Sequence, residues 1–361
     1  MTSSLPDTVG ITAETTAESA PDVSAPERTE SPLGQLRHRP EAGALIGTIS
    51  VFIFFAIFGG EKFLAAAGAA SWLNIAAELG IIAIPVGLLM IAGELDVSVG
   101  SVLAGSSMTL AIVSGHWGAP MIVGIVLALG LGLLIGLLNG IIVTRTNVPS
   151  LVVTLATMAG VAGLTLGLSR VATGTTSVAI SPDPFSKSVF GQLIGGQFEV
   201  AIFWWIGIAV LVSVVLQMMP YGNWIFAIGG DKESARATGI PVTKVKIALY
   251  MASGFGAALV GVIQTILYNG AQVANGQSFV FNSIIAVVIG GVLLTGGYGS
   301  VIGIALGTLT FAIVNQGIYY TGWNSDWASL ILGVLILTAV LMNNTFRRLA
   351  LSYKPRSAKK V

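Results

Sequence analysis

The chain has 361 residues, of which 54% are hydrophobic and 9% charged, with a formal net charge of +1. An ordinary soluble protein carries about 25% charged residues, so this balance excludes a water-soluble globular fold and offers no basic patch for a nucleic-acid partner. The absence of cysteine excludes disulfides and thiolate metal sites, and His38 and His116 are too few for a histidine-rich metal centre.

In chain order, residues 1–42 are rich in Ser, Thr, Pro, Ala and Glu and cannot bury enough apolar surface to offset ordering entropy. They are expected to be a disordered cytoplasmic tail, closed by Arg37 and Arg39. The apolar run that follows, with its alanine-rich stretch at 65–70, superficially resembles a secretory signal. The leader before it carries Asp7, Glu14, Glu18, Asp22, Glu27 and Glu30, whereas a signal begins with a short basic region. An uncleaved first helix is expected instead.

No Asp, Glu, Lys or Arg occurs in 97–144, 200–230 or 247–325. A bilayer core about 30 Å thick takes roughly 20 apolar helical residues per crossing. Helices are therefore predicted at 43–60, 74–93, 98–114, 120–143, 149–169, 200–219, 246–268, 282–296, 299–317 and 326–344. The fold class is all-α, a polytopic membrane protein of about ten helices, with a membrane domain at 43–345 and a basic cytoplasmic tail at 346–361. With both termini cytoplasmic, only Lys62, Arg170 and Lys187 of the 17 basic residues fall outside, as the positive-inside rule requires. Gly132, Gly136 and Gly140, and Gly303 and Gly307, recur every fourth residue, a spacing that lets helix backbones approach closely. Trp72, Trp204, Trp205, Trp224, Trp323 and Trp327 fall near helix ends, where an interfacial belt accounts for them.

A pump needs an energy source. No phosphate-binding loop is present, since Gly229-Gly230-Asp231-Lys232 has neither its spacing nor its Ser or Thr. Ion-coupled carriers place acids deep in the bilayer. The acids available are Glu78, expected about one turn inside the second helix, with Glu94 and Asp96 at its far end. That set is poor for ion coupling, so the driving force is expected from another subunit.

The inside loop, 220–245, holds a short helix by its signals: Asp231 at the start, Ala235 and Ala237 within, and Gly239 with Pro241 at the stop. It is either a solvated loop helix or a piece that docks in a groove of a soluble partner. Asp96 and Ser98 read either as the cap of the third helix or as part of an inner gate. Amides such as Asn74, Gln264 and Asn282 either bind helices together or line a path for a neutral solute. The outside loop, 171–199, is a candidate dock for a delivering protein or a lid.

The segment Gly229-Gly230-Asp231-Lys232-Glu233-Ser234-Ala235-Arg236-Ala237-Thr238-Gly239-Ile240 resembles the cytoplasmic coupling segment of ribose-type permeases of bacterial ABC importers. Ala92-Gly93-Glu94-Leu95-Asp96-Val97-Ser98-Val99-Gly100-Ser101, the 149–158 segment, and 284–291 followed by Gly296-Gly297-Tyr298-Gly299-Ser300 resemble further motifs of that family, in family order. The resemblance implies an ABC importer permease fold in the bacterial inner membrane, translocating a monosaccharide or a polyol-like solute. Paired permease subunits (a homodimer or a heterodimer) would sit in membrane lipid with two cytoplasmic ATPase subunits and an extracytoplasmic sugar-binding protein. ATP and magnesium would reside on the ATPases, with no cofactor and no catalytic residue on this chain. By the same resemblance Gly229, Gly230, Asp231, Glu233, Ala235, Arg236, Gly239 and Ile240 form the ATPase-coupling loop. Glu94, Asp96, Ser98, Asn282, Gly290 and Gly291 are gate or pathway candidates. Glu94 stands where a second glycine is common and Asn282 where an acid is frequent. An ATP-independent carrier or facilitator is the competing expectation.

Overall fold

A computed structural model describes residues 41–324 and scattered positions between 327 and 341. Most of the helix expected at 326–344 and both expected tails lie outside the described residues, except Glu41 and Ala42, which open the first helix.

The helices in chain order are α1 (Glu41–Leu64), α2 (Ala66–Ile91), α3 (Val99–Leu110), which continues as a π-helical stretch (Ala111–His116), α4 (Met121–Arg145) and α5 (Ser150–Thr173). After a loop come α7 (Ala201–Met218), α8 (Pro220–Gly230), α9 (Lys232–Ala237), α10 (Val242–Leu267), α11 (Gln277–Ile289) and α12 (Val301–Tyr320). The loop holds α6 (Pro184–Phe190) and strands β1 (Ser177–Ala179), β2 (Leu193–Ile194) and β3 (Phe198–Glu199), and β4 (Gly270–Gln272) follows α10. Among the described residues, 8 helices are long and apolar enough to cross a membrane. With 13 residues, α11 is too short to cross alone, since helix rises about 1.5 Å per residue.

Two layers follow from burial. The most apolar windows of α2, α3, α10 and α12 are 89%, 78%, 67% and 67% buried, whereas those of α1, α5 and α7 are 22%, 17% and 17% buried. The outer helices therefore turn apolar side chains such as Ile57, Leu164 and Val210 outward, where lipid replaces the missing protein partner.

The glycine spacing has the packing role expected of it. Gly132, Gly136 and Gly140 on α4 lie against backbone of Gly254, Tyr250 and Ile247 on α10, and an added Cβ at any of them collides with that neighbour. Gly303 and Gly307 on α12 meet the carbonyls of Gly290 and Ala286 in the same way. Side-chain-free contact lets the helices approach closely where no hydrophobic drive exists between them in lipid.

Contacts define two opposite ends of the bundle. At one end β1 pairs antiparallel with β4, Val178 opposite Ala271, tying the loop after α5 to the exit of α10. Asp183 caps α6 by accepting from Phe185 N and Ser186 N, both at 3.0 Å, and the Phe190 and Trp204 rings stack at 5.6 Å. At the other end lie α8, α9 and the turns after α2, α4 and α11.

Several expectations change. The helix expected at 282–296 runs only Gln277–Ile289. It stops because Gly291, Gly296 and Gly297 adopt φ of +90°, +83° and +75°, which residues with a Cβ rarely adopt. The helix expected at 74–93 begins at Ala66, since alanine is the best helix former. Glu78 is consequently about three turns inside α2 and 7% exposed, so it faces protein and not solvent. The loop expected at 220–245 is mostly helical, with Pro220 opening α8 and α10 beginning at Val242. Trp205 is buried and Trp72 stacks on Phe63, so these two indoles pack within protein and do not simply form a belt.

Candidate functional site

The short helix expected in the inside loop is α9. Asp231 caps it, its carboxylate accepting from Ser234 N at 2.7 Å. That bond and the one to the Ser234 hydroxyl hold the Asp231 carboxyl below the usual carboxylate range. Gly239, at φ +86°, closes it. Around the helix Lys232, Glu233, Ser234, Arg236 and Ala237 are exposed, and Ile240 is half-buried. Glu233 and Arg236 form an exposed pair at 3.3 Å. Ala235 differs from expectation: it is 4% exposed and belongs to the chain's own core, so the free face is that of its neighbours.

The helix before it, α8, is anchored to the bundle by the buried side chains of Ile225 and Ile228 and, at its end, by glycine backbone. The backbone of Gly229 lies against the Ile91 carbonyl at the end of α2 and against Gly297 N in the turn between α11 and α12. Gly297 N itself donates to Ile91 O at 2.8 Å. A Cβ on Gly296 would stand 2.9 Å from Gly229 O and 3.0 Å from Gly93 Cα, and one on Gly297 3.2 Å from Gly230 Cα. Three segments distant in sequence thus touch backbone to backbone at one point. Gly290 packs on Gly303, and Gly291, with its positive φ, opens the turn that reaches this junction.

Beside the junction lies a buried polar network. Asp96 Oδ1 accepts from Ser98 N at 2.9 Å and Ser98 Oγ at 2.6 Å, and its Oδ2 accepts from Ser253 Oγ on α10 at 2.8 Å. Asn139 Nδ2 on α4 donates to Ser98 Oγ at 3.0 Å, and Thr157 Oγ1 on α5 donates to Asn139 Oδ1 at 2.6 Å. Backbone of Leu95 and Val97 donates to Ser150 Oγ and Thr154 Oγ1. Burial pushes the Asp96 carboxyl up, opposed by the bonds from Ser98 and Ser253. The expected cap is therefore revised: Asp96 makes a local turn with Ser98 but spends its second oxygen across the bundle, and Ser98, which precedes α3, makes no side-chain cap bond.

Glu94, two residues earlier, takes a different partner. It pairs with Lys246 of α10, with side chains 12% and 5% exposed respectively. Asn282, half-buried on α11, takes no part in the bonds of the Asp96 network. The structure thus brings Glu94, Asp96, Ser98, Gly229 and Gly230 to one end of the bundle, connected through the turn to Gly290 and Gly291. Sequence reasoning missed Ser253, Asn139, Thr157 and Lys246. Asn139 precedes Gly140 of the glycine repeat, and that adjacency to a packing seam was a readable signal.

Eight apolar helices among the described residues, packed by glycine and with a backbone junction and an exposed short helix at one end, define a multi-pass membrane protein. The profile of the family described as "Branched-chain amino acid transport system / permease component" matches residues 68–340. The fructose import permease protein FrcC of Rhizobium meliloti is 30% identical over 92% of this chain and 95% of that protein. The ribose import permease protein RbsC of Bacillus subtilis is 32% identical over 83% of this chain and 92% of that protein. The autoinducer 2 import system permease protein LsrD of Photorhabdus temperata is 31% identical over 73% of this chain and 79% of that protein. No solved structure gives a significant match. The chain belongs to this permease family, as a ribose-type permease of bacterial ABC importers in the inner membrane. Such permeases work with separate ATPase subunits and a substrate-binding protein.

Proposed function

We propose that this chain is the translocating subunit for a monosaccharide or a related polyol-like solute, and that α8 and α9 receive the ATPase. The observation that carries the reading is the seat of Gly229 on Ile91 and Gly297. A push on exposed α9 reaches the ends of α2 and α11 through rigid backbone, with no flexible side chain to absorb it. Lys232, Arg236 and Lys244 lie at this end and Lys187 at the other, which supports a cytoplasmic α9 under the positive-inside rule. The loop at 174–200, pinned by β1–β4 pairing at the opposite end, then receives the binding protein. ATP and magnesium sit on the ATPases. A second permease subunit, of this chain or a homologue, covers part of the apolar exterior.

The sugar class is supported by the named substrates of the relatives. The test is reconstitution in proteoliposomes with the ATPase and binding protein, together with identification of the sugar that co-purifies with the binding protein. ATP-dependent uptake of that sugar is expected. Equal uptake by this chain alone would establish a facilitator instead.

A further inference from the structure

A second polar cluster lies at the end of the bundle opposite α9. Glu78 on α2 and Glu199 on β3 are 7% and 8% exposed. Glu78 Oε2 accepts from Gln264 Nε2 of α10 at 2.8 Å, while Glu78 Oε1 and Glu199 Oε2 are buried and bond to no protein group. The two acids are brought to the same place by Asn74, whose side chain ties β3 to α2 one turn from Glu78. Asn74, one turn before Glu78 on the same face, holds the strand in place: its Oδ1 accepts from Glu199 N at 3.0 Å and its Nδ2 donates to Gln197 O at 2.9 Å.

No base answers these acids. Among the described residues the ion pairs are Glu233–Arg236 and Glu94–Lys246. The charged groups nearest along the neighbouring elements, Lys62, Arg170, Asp183 and Lys187, are all exposed. The polar side chains bonded to the two residues are Gln264 and Asn74, neither of them cationic. Two carboxylates in a poorly solvated site without a counter-charge do not both ionise; a proton on one relieves the repulsion and reduces the desolvation penalty.

We propose that Glu78 and Glu199 together bind one proton, and that its release detaches β3 and the 174–200 loop from α2. With the orientation given above, on which only the side of entry depends, the proton comes from the extracytoplasmic medium. Glu199 belongs to the loop and Glu78 to the core, so the charge state of the pair sets how firmly loop and core hold together. Burial holds the Glu199 carboxyl up at about 7. The sign follows: a carboxyl whose folded value is raised favours the docked loop at low pH, and that preference is lost as pH rises through about 7. Acidic surroundings close the loop onto α2 and alkaline surroundings loosen it.

The test is hydrogen exchange of 193–200 in the full chain in nanodiscs, corrected for intrinsic exchange, between pH 5.5 and 8.5 (about 1.5 units either side of 7). Protection is expected to fall several-fold across that range in the native chain. In Glu199→Gln, where the neutral form is fixed, it stays high throughout. Glu78→Gln leaves Glu199 buried and titratable, so part of the pH dependence persists there and Glu199→Gln carries the test. An unchanged pH dependence in Glu199→Gln would overturn the proposal. So would protection that follows sodium concentration at constant pH, because the pair would then hold a metal cation. Exchange requires no transport, so this outcome is independent of the sugar and ATPase assignments.

Discussion

Gly297 donates its backbone N–H to the carbonyl oxygen of Ile91 at 2.8 Å, and Gly229 is packed onto that same carbonyl. Two turns and a helix end are thereby locked with no side chain between them. Gly229→Ala would drive a Cβ into the Ile91 oxygen and to within 2.6 Å of Gly297 N, so the junction must separate. Gly230 has nothing within 4 Å of its Cβ position. Gly229→Ala is expected to cut ATP-driven uptake at least tenfold, about 1.4 kcal/mol in coupling, while Gly230→Ala transports normally. Uptake assays in proteoliposomes of both variants check this, and equal activity would remove the junction from the coupling route.

The exposed side of α9 and its buried side should respond differently. Arg236 pairs with Glu233 in an exposed i,i+3 arrangement, worth about half a kcal/mol or less. Arg236→Glu is therefore expected to leave the melting temperature in detergent almost unchanged and to abolish stimulation of the ATPase. Ala235→Trp overpacks a site that is 4% exposed and should lower stability by about 1–3 kcal/mol. A large thermal shift in Arg236→Glu, or none in Ala235→Trp, would show that the two faces have been assigned the wrong way round.

The membrane class, eight of the expected crossings and the short helix were legible because their signals are local. Missing charge over 247–325 requires burial in lipid or protein, and Asp231 with Gly239 frames α9 within a few residues. What stayed hidden depends on partners far away in sequence. Ser253 carries no mark that separates it from any other small residue in a membrane helix, yet it meets Asp96 at 2.8 Å. Glu199 borders a charge-free run and reads as a loop acid until β3 brings it to Glu78. The turn at 290–300 was misread because Leu293 and Leu294 continue an apolar run, whereas Gly296 and Gly297 determine the backbone. Apolarity reports the solvent of a segment, and only backbone conformation reports its shape.

Asn139 is fully buried and joins α3 to α5 through Ser98 Oγ and Thr157 Oγ1. Asn139→Leu enlarges a fully buried side chain and removes both bonds, although Ser98 Oγ keeps Asp96 and Thr157 Oγ1 keeps the Val153 carbonyl, so overpacking should dominate a loss of about 1–3 kcal/mol. Asn139→Asp retains the acceptor for Thr157 but places a second acid beside Asp96, so the like charges should lower stability further as pH rises. Thermal melts of both variants at two pH values separate the effects. Identical pH dependence in Leu and Asp variants would contradict the network geometry.

The Glu94–Lys246 pair joins the turn after α2 to the first part of α10, with side chains 12% and 5% exposed. Removing one partner strands a buried charge. Lys246→Met alone is therefore expected to destabilise by about 3–5 kcal/mol, and Glu94→Leu alone by a similar amount. The double variant, which leaves no charge unpaired, should recover most of that loss. Function should not recover with it: the pair fixes the turn that carries Asp96, and two apolar side chains hold that turn without a defined register. Melting temperatures and uptake measured on the two single variants and the double test both parts. A double variant as unstable as either single would mean the charges are solvated independently, and a double variant with full uptake would mean the ion pair does not position Asp96.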